Sequence, residues 1–102
     1  GPAPPTDVAV SRSGESATVT WIPSPSAGVA GYTVVYTDEP GTPGYPLSVA
    51  AVLPGVATVD GLDPRSPYRF AVVAFDAEGN LSPVSASVVA PPVLRLRRVL
   101  PH

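Results

Sequence analysis

Apolar and polar side chains alternate along much of the chain with a period of two residues. In the run 17–21, Ala17, Val19 and Trp21 are separated by Thr18 and Thr20. Successive side chains of a β-strand point to opposite faces, so this alternation predicts a strand with one buried face. No window of the sequence shows a sustained helical period with capping residues. The pattern therefore predicts an all-β chain.

Prolines divide the chain into intervals that hold the predicted strands. The fifteen prolines fall in clusters, and each longer proline-free interval contains a β-branched or aromatic run. Proline has no N–H to donate to a sheet ladder and is excluded from central strands. Strands are predicted at 7–11, 17–22, 31–37, 47–52, 57–60, 68–76 and 84–89. Seven short strands separated by turn residues are typical of a two-sheet sandwich.

Strand parity separates an expected core from an expected outer surface. The expected core consists of Val8, Val10, Val19, Trp21, Tyr32, Val34, Val59, Leu62, Tyr68, Phe70, Val72 and Val88. The opposite face of strands 31–37 and 68–76 is also apolar, with Val35, Ala71, Val73 and Phe75. An ordinary one-sided sheet has a polar outer face, although scattered exposed apolar residues are normal. Two interpretations stay open: an unremarkable surface, or an interaction face covered by a neighbouring module, a protein partner or the tail.

Charge is distributed unevenly along the 102 residues, whose length predicts one domain. The formal net charge is −2, and all six basic residues are arginine. Residues 1–92 hold three arginines against eight acidic residues, a net charge of −5, whereas the last ten residues carry Arg95, Arg97 and Arg98. An acidic body disfavours nucleic-acid binding, and no apolar run is long enough to span a bilayer. Absence of lysine beside abundant Ala, Val, Pro and Gly is typical of a GC-rich, bacterial genome.

No residue constellation predicts catalysis, a cofactor or a metal site. Without cysteine the chain has neither a thiol nucleophile nor a cysteine-ligated metal, and His102 is its only histidine. The carboxylate pairs Asp60 with Asp63 and Asp38 with Glu39 lie in turns, where such side chains are normally solvated or bond to the backbone. An enzyme is therefore not predicted.

Two further ligand classes have a weak basis in the sequence. The segment 76–80 contains Asp, Glu and Asn but is too short for a calcium loop, and a plain turn is expected there. Only Tyr45 and Phe75 remain outside the aromatic residues assigned to the core or its margin. Two scattered rings make a poor sugar platform, so the case for carbohydrate is weak.

Several motifs occur in a characteristic order along the chain. They are Pro5, the run 17–21 followed by Pro23, the run 29–36, the run 59–68, and Leu81-Ser82-Pro83 with Ser85. In this order and spacing they resemble a fibronectin type III domain over about residues 3–92. The resemblance implies a seven-stranded immunoglobulin-like β-sandwich with Greek-key connections. The positions it marks as structural are Trp21, Tyr32, Leu62, Pro64 and Tyr68, with Tyr68 as a tyrosine corner bonded to the upstream backbone.

The resemblance also implies a domain organisation and a function. We expect a proline-rich linker at 1–5, the domain at 6–92 and a basic tail or linker at 93–102. Proline-rich ends are typical of semi-rigid connectors. The expected function is a non-catalytic spacer or accessory module in a secreted or cell-surface multidomain protein, with neighbouring domains of the same chain as partners. Bacterial examples of the family often accompany polysaccharide-degrading enzymes.

A protein-binding or adhesion module is the alternative. It would use the outer face or the loops 23–30 and 76–82. The loop 77–80 reads Ala-Glu-Gly-Asn where adhesive members of the family carry Arg-Gly-Asp, and no tryptophan precedes the last strand as in cytokine receptors. Neither of those two roles is implied.

Overall fold

The computed structural model describes residues 1–39 and 44–93, and these form a β-sandwich. Its strands are β1 (Thr6–Ser13), β2 (Ser16–Ile22), β3 (Val29–Asp38), β4 (Leu47–Ala51), β5 (Val56–Val59), β6 (Tyr68–Asp76) and β7 (Val88–Ala90). One sheet has the order β1-β2-β5 and the other β4-β3-β6-β7. The all-β sandwich predicted from the alternation is confirmed. In the described ranges, no helix is long and apolar enough to cross a membrane.

All strand pairs are antiparallel, and the connections follow a Greek key. The chain passes from β2 to β3, from β4 to β5 and from β5 to β6 by crossing between the sheets. The longest pairing joins β3 to β6, from Val29 opposite Asp76 to Asp38 opposite Tyr68. Each sheet therefore ends in two edge strands, β1 and β5 in one sheet, β4 and β7 in the other.

The core lies between the sheets and contains most of the residues that parity predicted. Val19, Val34, Phe70 and Val72 have no exposed surface. The Trp21 and Tyr32 rings lie 5.5 Å apart between centroids. Val8, Val10 and Val88 are only half-buried, and Val8 and Val10 pack against the margin of the core. They lie on the edge strands β1 and β7, where a neighbour is missing on one side.

The last strand is much shorter than the predicted 84–89. Only Val88–Ala90 forms a ladder with β6, whereas Ser82 and Ser85 bond to β6 individually. The Ser85 N–H donates to the Val72 carbonyl at 3.0 Å, and its Oγ accepts from the Val72 N–H at 2.9 Å. Ser82 makes the same pair of bonds to Ala74, both at 2.8 Å. Each serine uses its hydroxyl where a strand would use a carbonyl, so this segment pairs with β6 without strand geometry.

Candidate functional site

The four residues of the predicted interaction face share one side of the sheet, but that side is only partly exposed. Val35 pairs with Ala71 across β3 and β6, and Phe75 pairs with Gly31. Ala71 has no exposed surface and Val73 is 8% exposed, while Val35 and Phe75 are half-buried. The exposed apolar stripe that the alternation allowed is thus reduced to two half-covered side chains.

Phe75 has a local role on this face. A Cβ atom placed on Gly31 would lie 2.6 Å from Cζ of the Phe75 ring, so the ring lies directly over the glycine. Aromatic side chains cover glycines in sheets in this way, because a glycine leaves its backbone bare. The ring thus has a packing role independent of any partner.

Tyr45, the second aromatic residue left outside the predicted core, lies beside an Arg–Glu ion pair at the margin of the same sheet. Arg69 Nε lies 2.9 Å from Glu39 Oε2, and both side chains are partly exposed. The Arg69 guanidinium carbon lies 5.7 Å from the centroid of the Tyr45 ring. Tyr45 is therefore engaged with a cation of its own chain.

The N-terminal segment packs on the sandwich at a surface that we call the N-terminal pole, formed by residues 1–5 and the loops 23–28 and 77–81. The Ala3 N–H donates to Ser26 Oγ at 2.8 Å, and Pro2 and Pro5 are buried. The Gly1 backbone lies against the Leu81 carbonyl. The segment predicted as a linker is therefore docked on the loops.

Tyr32 holds one loop of the N-terminal pole through its hydroxyl. Its hydroxyl accepts the backbone N–H of Ser24 at 2.8 Å, and the ring contacts Trp21. The Ser24 hydroxyl in turn accepts the N–H of Ser26 at 3.2 Å. A buried core residue therefore fixes the loop that binds the N-terminal segment.

The opposite end, which we call the C-terminal pole, is formed by the β5–β6 loop and residues 91–93. The Tyr68 hydroxyl accepts the backbone N–H of Asp63 at 2.8 Å, which is the geometry of a tyrosine corner. Leu62 is buried, and its N–H donates to the Glu15 carbonyl at 2.8 Å. The Val93 N–H donates to the Pro64 carbonyl at 2.8 Å, so the outgoing chain is bonded to this loop.

Arg12 connects three segments at the C-terminal pole. Its Nη1 donates to the Ser66 carbonyl at 2.8 Å and to the Pro91 carbonyl at 3.2 Å. Its Nη2 donates to the Asp63 carbonyl at 3.1 Å, and the guanidinium carbon lies 5.2 Å from the centroid of the Tyr68 ring. The planar, always charged guanidinium suits this combination of several donors and a ring face. Arg12 thus fixes where the chain leaves the sandwich.

Sequence reasoning missed Arg12, although the strand pattern contained a signal. Arg12 has the same parity as Val8 and Val10, so it lies on the inward side of β1. A charged residue at an inward position near a strand end needs hydrogen-bond partners. Its partners lie 51 to 79 residues away along the chain, so the pattern could not name them.

Two turn carboxylates bond to their own turns. The Arg65 N–H donates to Asp63 Oδ1 at 2.9 Å, and this bond is the main cause of the lowered pKa of Asp63. The Asn80 amide donates to Asp76 Oδ2 at 3.0 Å and is the main cause of the lowered pKa of Asp76. No group of three or more metal-ligating side chains is found in residues 1–39 and 44–93. His102 and the basic residues of the tail lie outside the described residues.

Among the large apolar side chains of the described residues, the most exposed is Val52 on the β4–β5 loop, which the sequence pattern did not single out. Val52 is 94% exposed and Leu53 56% exposed. Shallow hollows border this loop on both sides, one lined by Ala30 and Ala51, the other by residues of β5. The available signal was the absence of any charged residue from 40 to 59.

Comparisons with known proteins agree on one family. The model of the fibronectin type III domain matches residues 3–90. The fn3 domain of the human collagen alpha-1(XX) chain is 26% identical, with a TM-score of 0.73 over 97% of this chain and 92% of that one. An Fn3-like protein from Clostridium thermocellum is also 26% identical, with a TM-score of 0.72 over 92% of this chain and 97% of that one.

A multidomain structure is also similar. The chicken CNTN1 FN1-FN3 domains are 23% identical, with a TM-score of 0.72 over 86% of this chain. The match spans only 30% of that longer chain. The same sandwich therefore occurs there as one module among several.

Proposed function

Because the chain belongs to the fibronectin type III family, whose members are generally non-catalytic modules of multidomain proteins, we propose that it spaces and orients neighbouring domains without catalysing a reaction. The observation that carries the proposal is that both ends of the described chain are bonded to the sandwich. Ala3 is bonded to Ser26 at the N-terminal pole, and Pro91 and Val93 are bonded to Arg12 and Pro64 at the C-terminal pole.

Fixed ends matter because a module sets the relative orientation of its two neighbouring domains only if the segments that join them to it are held rigidly. A flexible linker samples many directions, and its end-to-end distance varies with the square root of its length. Here two buried prolines and a direct backbone-to-serine bond hold the incoming segment. Three hydrogen bonds from Arg12 hold the C-terminal pole, and one of them reaches the outgoing chain at Pro91. The rigid length of the sandwich then separates whatever is attached at its two ends.

The proposed setting is an extracellular protein, secreted or at the cell surface, of bacterial origin. Arginine without lysine favours a GC-rich bacterial genome, and a similar Fn3-like structure comes from Clostridium thermocellum. A polysaccharide-degrading enzyme is the proposed parent. This placement uses the family's common context.

A protein-binding role is the second candidate. The burial of Ala71 and Val73 leaves little of the outer face for a partner. The loops at the N-terminal pole remain available, since Pro25, Ala27 and Glu78 are exposed there. Adhesion through these loops would compete with the spacer role, because a neighbouring domain attached before Gly1 would lie close to them.

The test is a distance measurement between pairs of spin labels, which the absence of cysteine makes straightforward. The N-terminal pair is Ala3→Cys with Glu78→Cys, and the C-terminal pair is Val93→Cys with Glu15→Cys. A control pair within the sandwich is Thr18→Cys with Ser48→Cys, both at exposed strand positions. Pulsed electron–electron double resonance should give distance distributions for the two end pairs that are as narrow as the distribution of the control pair.

Variants separate the two ends. Ser26→Ala should broaden only the N-terminal distribution, and Arg12→Met only the C-terminal one, because each removes a side-chain bond to one end of the described chain. Broad distributions at both ends of the unmodified chain, beside a narrow control, would rule out the orienting spacer. Saturable binding to an extracellular protein that Glu78→Ala abolishes would instead favour adhesion.

A further inference from the structure

The two sides of the sandwich differ in how their edge strands are protected. Strand β1 has Asp7 at a φ of 53°, a register shift between Thr6 and Ala9, and the charged Arg12. Strand β7 has only three residues and is followed by Pro91 and Pro92. Irregular backbone, charge, shortness and proline all prevent an edge from pairing with another chain. The β1 and β7 side is therefore blocked against strand addition.

On the opposite side, with edge strands β4 and β5, Pro46 and Pro54 flank β4. However, β4 is two residues longer than β7, and it has neither the charged side chain nor the positive φ of β1. From residue 40 to residue 59 the chain contains no charged side chain. Strand β4 has five residues, and its Ser48 and Ala50 side chains are exposed. Its backbone pairs with β3 on one side only, so the other row of N–H and C=O groups is open for pairing.

Exposed apolar side chains flank β4 at both ends. Leu47 at its start is 47% exposed, and Val52 and Leu53 directly after it are 94% and 56% exposed. Between them lie small, uncharged residues. A strand with apolar ends is complementary to its own reversed copy, because antiparallel pairing brings the start of one strand beside the end of the other.

We propose that β4 pairs antiparallel with β4 of a second copy of this chain, joining the two four-stranded sheets across a two-fold axis. Leu47 of each copy then lies beside the Ala51–Leu53 end of the other, where a shallow hollow is lined by Val52, Leu53 and Val56. Such an interface is self-complementary, since every contact occurs twice. No charge meets a charge or is desolvated along the paired strands.

Pairing through β4 is preferred over pairing through β5, which is the other edge strand on this side. Strand β5 is one residue shorter, and its Ala57 and Val59 side chains are buried in the core. Strand β4 offers the longer backbone and the apolar ends, so pairing through β4 covers more exposed apolar surface. The inference is independent of the spacer role, which holds for a monomer and a dimer alike.

The experiment is sedimentation equilibrium of the full chain from about 10 μM to about 1 mM, a range that detects weak and moderate association. The unmodified chain should show a monomer–dimer equilibrium. Ala50→Lys should raise the dimer dissociation constant about tenfold or more, because two lysines then approach each other across the paired strands. Thr18→Lys adds the same charge on the central strand β2 and should leave the constant unchanged.

Three results would overturn the inference. The first is a monomer at the highest concentration. The second is a dimer that Thr58→Lys on β5 abolishes and Ala50→Lys does not, which would assign the interface to β5. The third is equal weakening by Ala50→Lys and Thr18→Lys, which would indicate a general charge effect. Circular dichroism and Tm of each variant establish that the sandwich is intact, and the spin-label distances test the spacer role separately.

Discussion

At the scale of the residue, a few polar side chains hold loops that the strand ladders do not reach. Tyr32 and Tyr68 lie in the core, and each hydroxyl accepts a backbone N–H from a loop at one pole. Arg12 also holds loop backbone, but as a donor: its guanidinium donates to three carbonyls that lie outside the strand ladders. Buried backbone groups without ladder partners need such side chains to avoid a desolvation cost.

Arg12→Met is expected to destabilise the domain by roughly 1–3 kcal/mol, because it removes hydrogen bonds to partly buried carbonyls and the contact with the Tyr68 ring. Urea unfolding measures the loss. Arg12→Lys should restore little of it, since an ammonium cannot make the forked contacts. Arg65→Met is the matched control, as the Arg65 side chain is 89% exposed, and an equal loss there would contradict the role of Arg12.

Tyr68→Phe is expected to cost about 1–3 kcal/mol, since the Asp63 N–H loses its acceptor in a partly buried position. The measurement is the urea midpoint at constant m-value. Tyr36→Phe serves as the control, because Tyr36 packs on the same aromatic cluster and its hydroxyl has no hydrogen bond within residues 1–39 and 44–93. Similar midpoints for the two variants would argue against the tyrosine corner.

The lowered pKa of Asp76 predicts how the β6–β7 turn responds to acid. The folded-state pKa lies below the ordinary value of 3.8, so the ionised carboxylate favours the folded turn above that pH. This contribution is lost as the pH falls through the folded-state pKa. An NMR titration should show Asp76 protonating below pH 3.8, and Asn80→Ala should move its pKa upward, because the amide bond is the main cause of the shift. Titration at the ordinary value in the unmodified chain would refute this account.

At the scale of the element, the strands of the two sheet centres follow from local pattern, whereas the last strand does not. Strand β6 spans Tyr68–Asp76, the same residues as the alternation predicted. The segment before β7 also alternates, but Pro83 interrupts it and Ser82 and Ser85 replace the ladder by side-chain bonds. Alternation cannot distinguish a serine facing solvent from a serine bonded to the neighbouring strand, since both need only a polar side chain.

Ser85→Ala is expected to destabilise the domain by about 1–3 kcal/mol, because the Val72 N–H is left buried without its acceptor. Amide hydrogen exchange at Val72 should accelerate along with the fall in the urea midpoint. Ser87→Ala, at an exposed position in the same segment, should change neither quantity. Unchanged exchange at Val72 in Ser85→Ala would show that the hydroxyl bond is unimportant.

At the scale of the whole molecule, the sandwich has two bonded poles and two unlike sides. The Greek-key order places the incoming segment and the outgoing segment at opposite ends, each held by hydrogen bonds to loops. It also brings the protected edges β1 and β7 to one side and the uncharged edges β4 and β5 to the other. The first arrangement supports a spacer, and the second supports pairing with a second copy.

Removal of residues 1–4 tests whether the N-terminal segment belongs to the folded unit. The shortened chain should lose roughly 1–2 kcal/mol of stability, since the burial of Pro2 and the Ala3–Ser26 bond are lost. Urea unfolding of the full and shortened chains provides the comparison. Replacing residues 1–4 by glycine and serine is the control for chain length, and an unchanged midpoint in both would mean that the segment is a free linker.

The residues alone predict the sandwich, the approximate position of every strand except the last, and the face on which most side chains lie, and their motifs resemble the family. The sandwich and its strands follow from the alternation at period two and from proline spacing, whereas the resemblance to the family rests on the ordered motifs; both act over a few neighbouring residues. Long-range contacts in the fold bury Ala71 and Val73, bond Arg12 to the C-terminal pole, and bring the uncharged edges β4 and β5 to one side. Each of these depends on segments brought together from distant parts of the chain, and a local pattern carries no information about such partners.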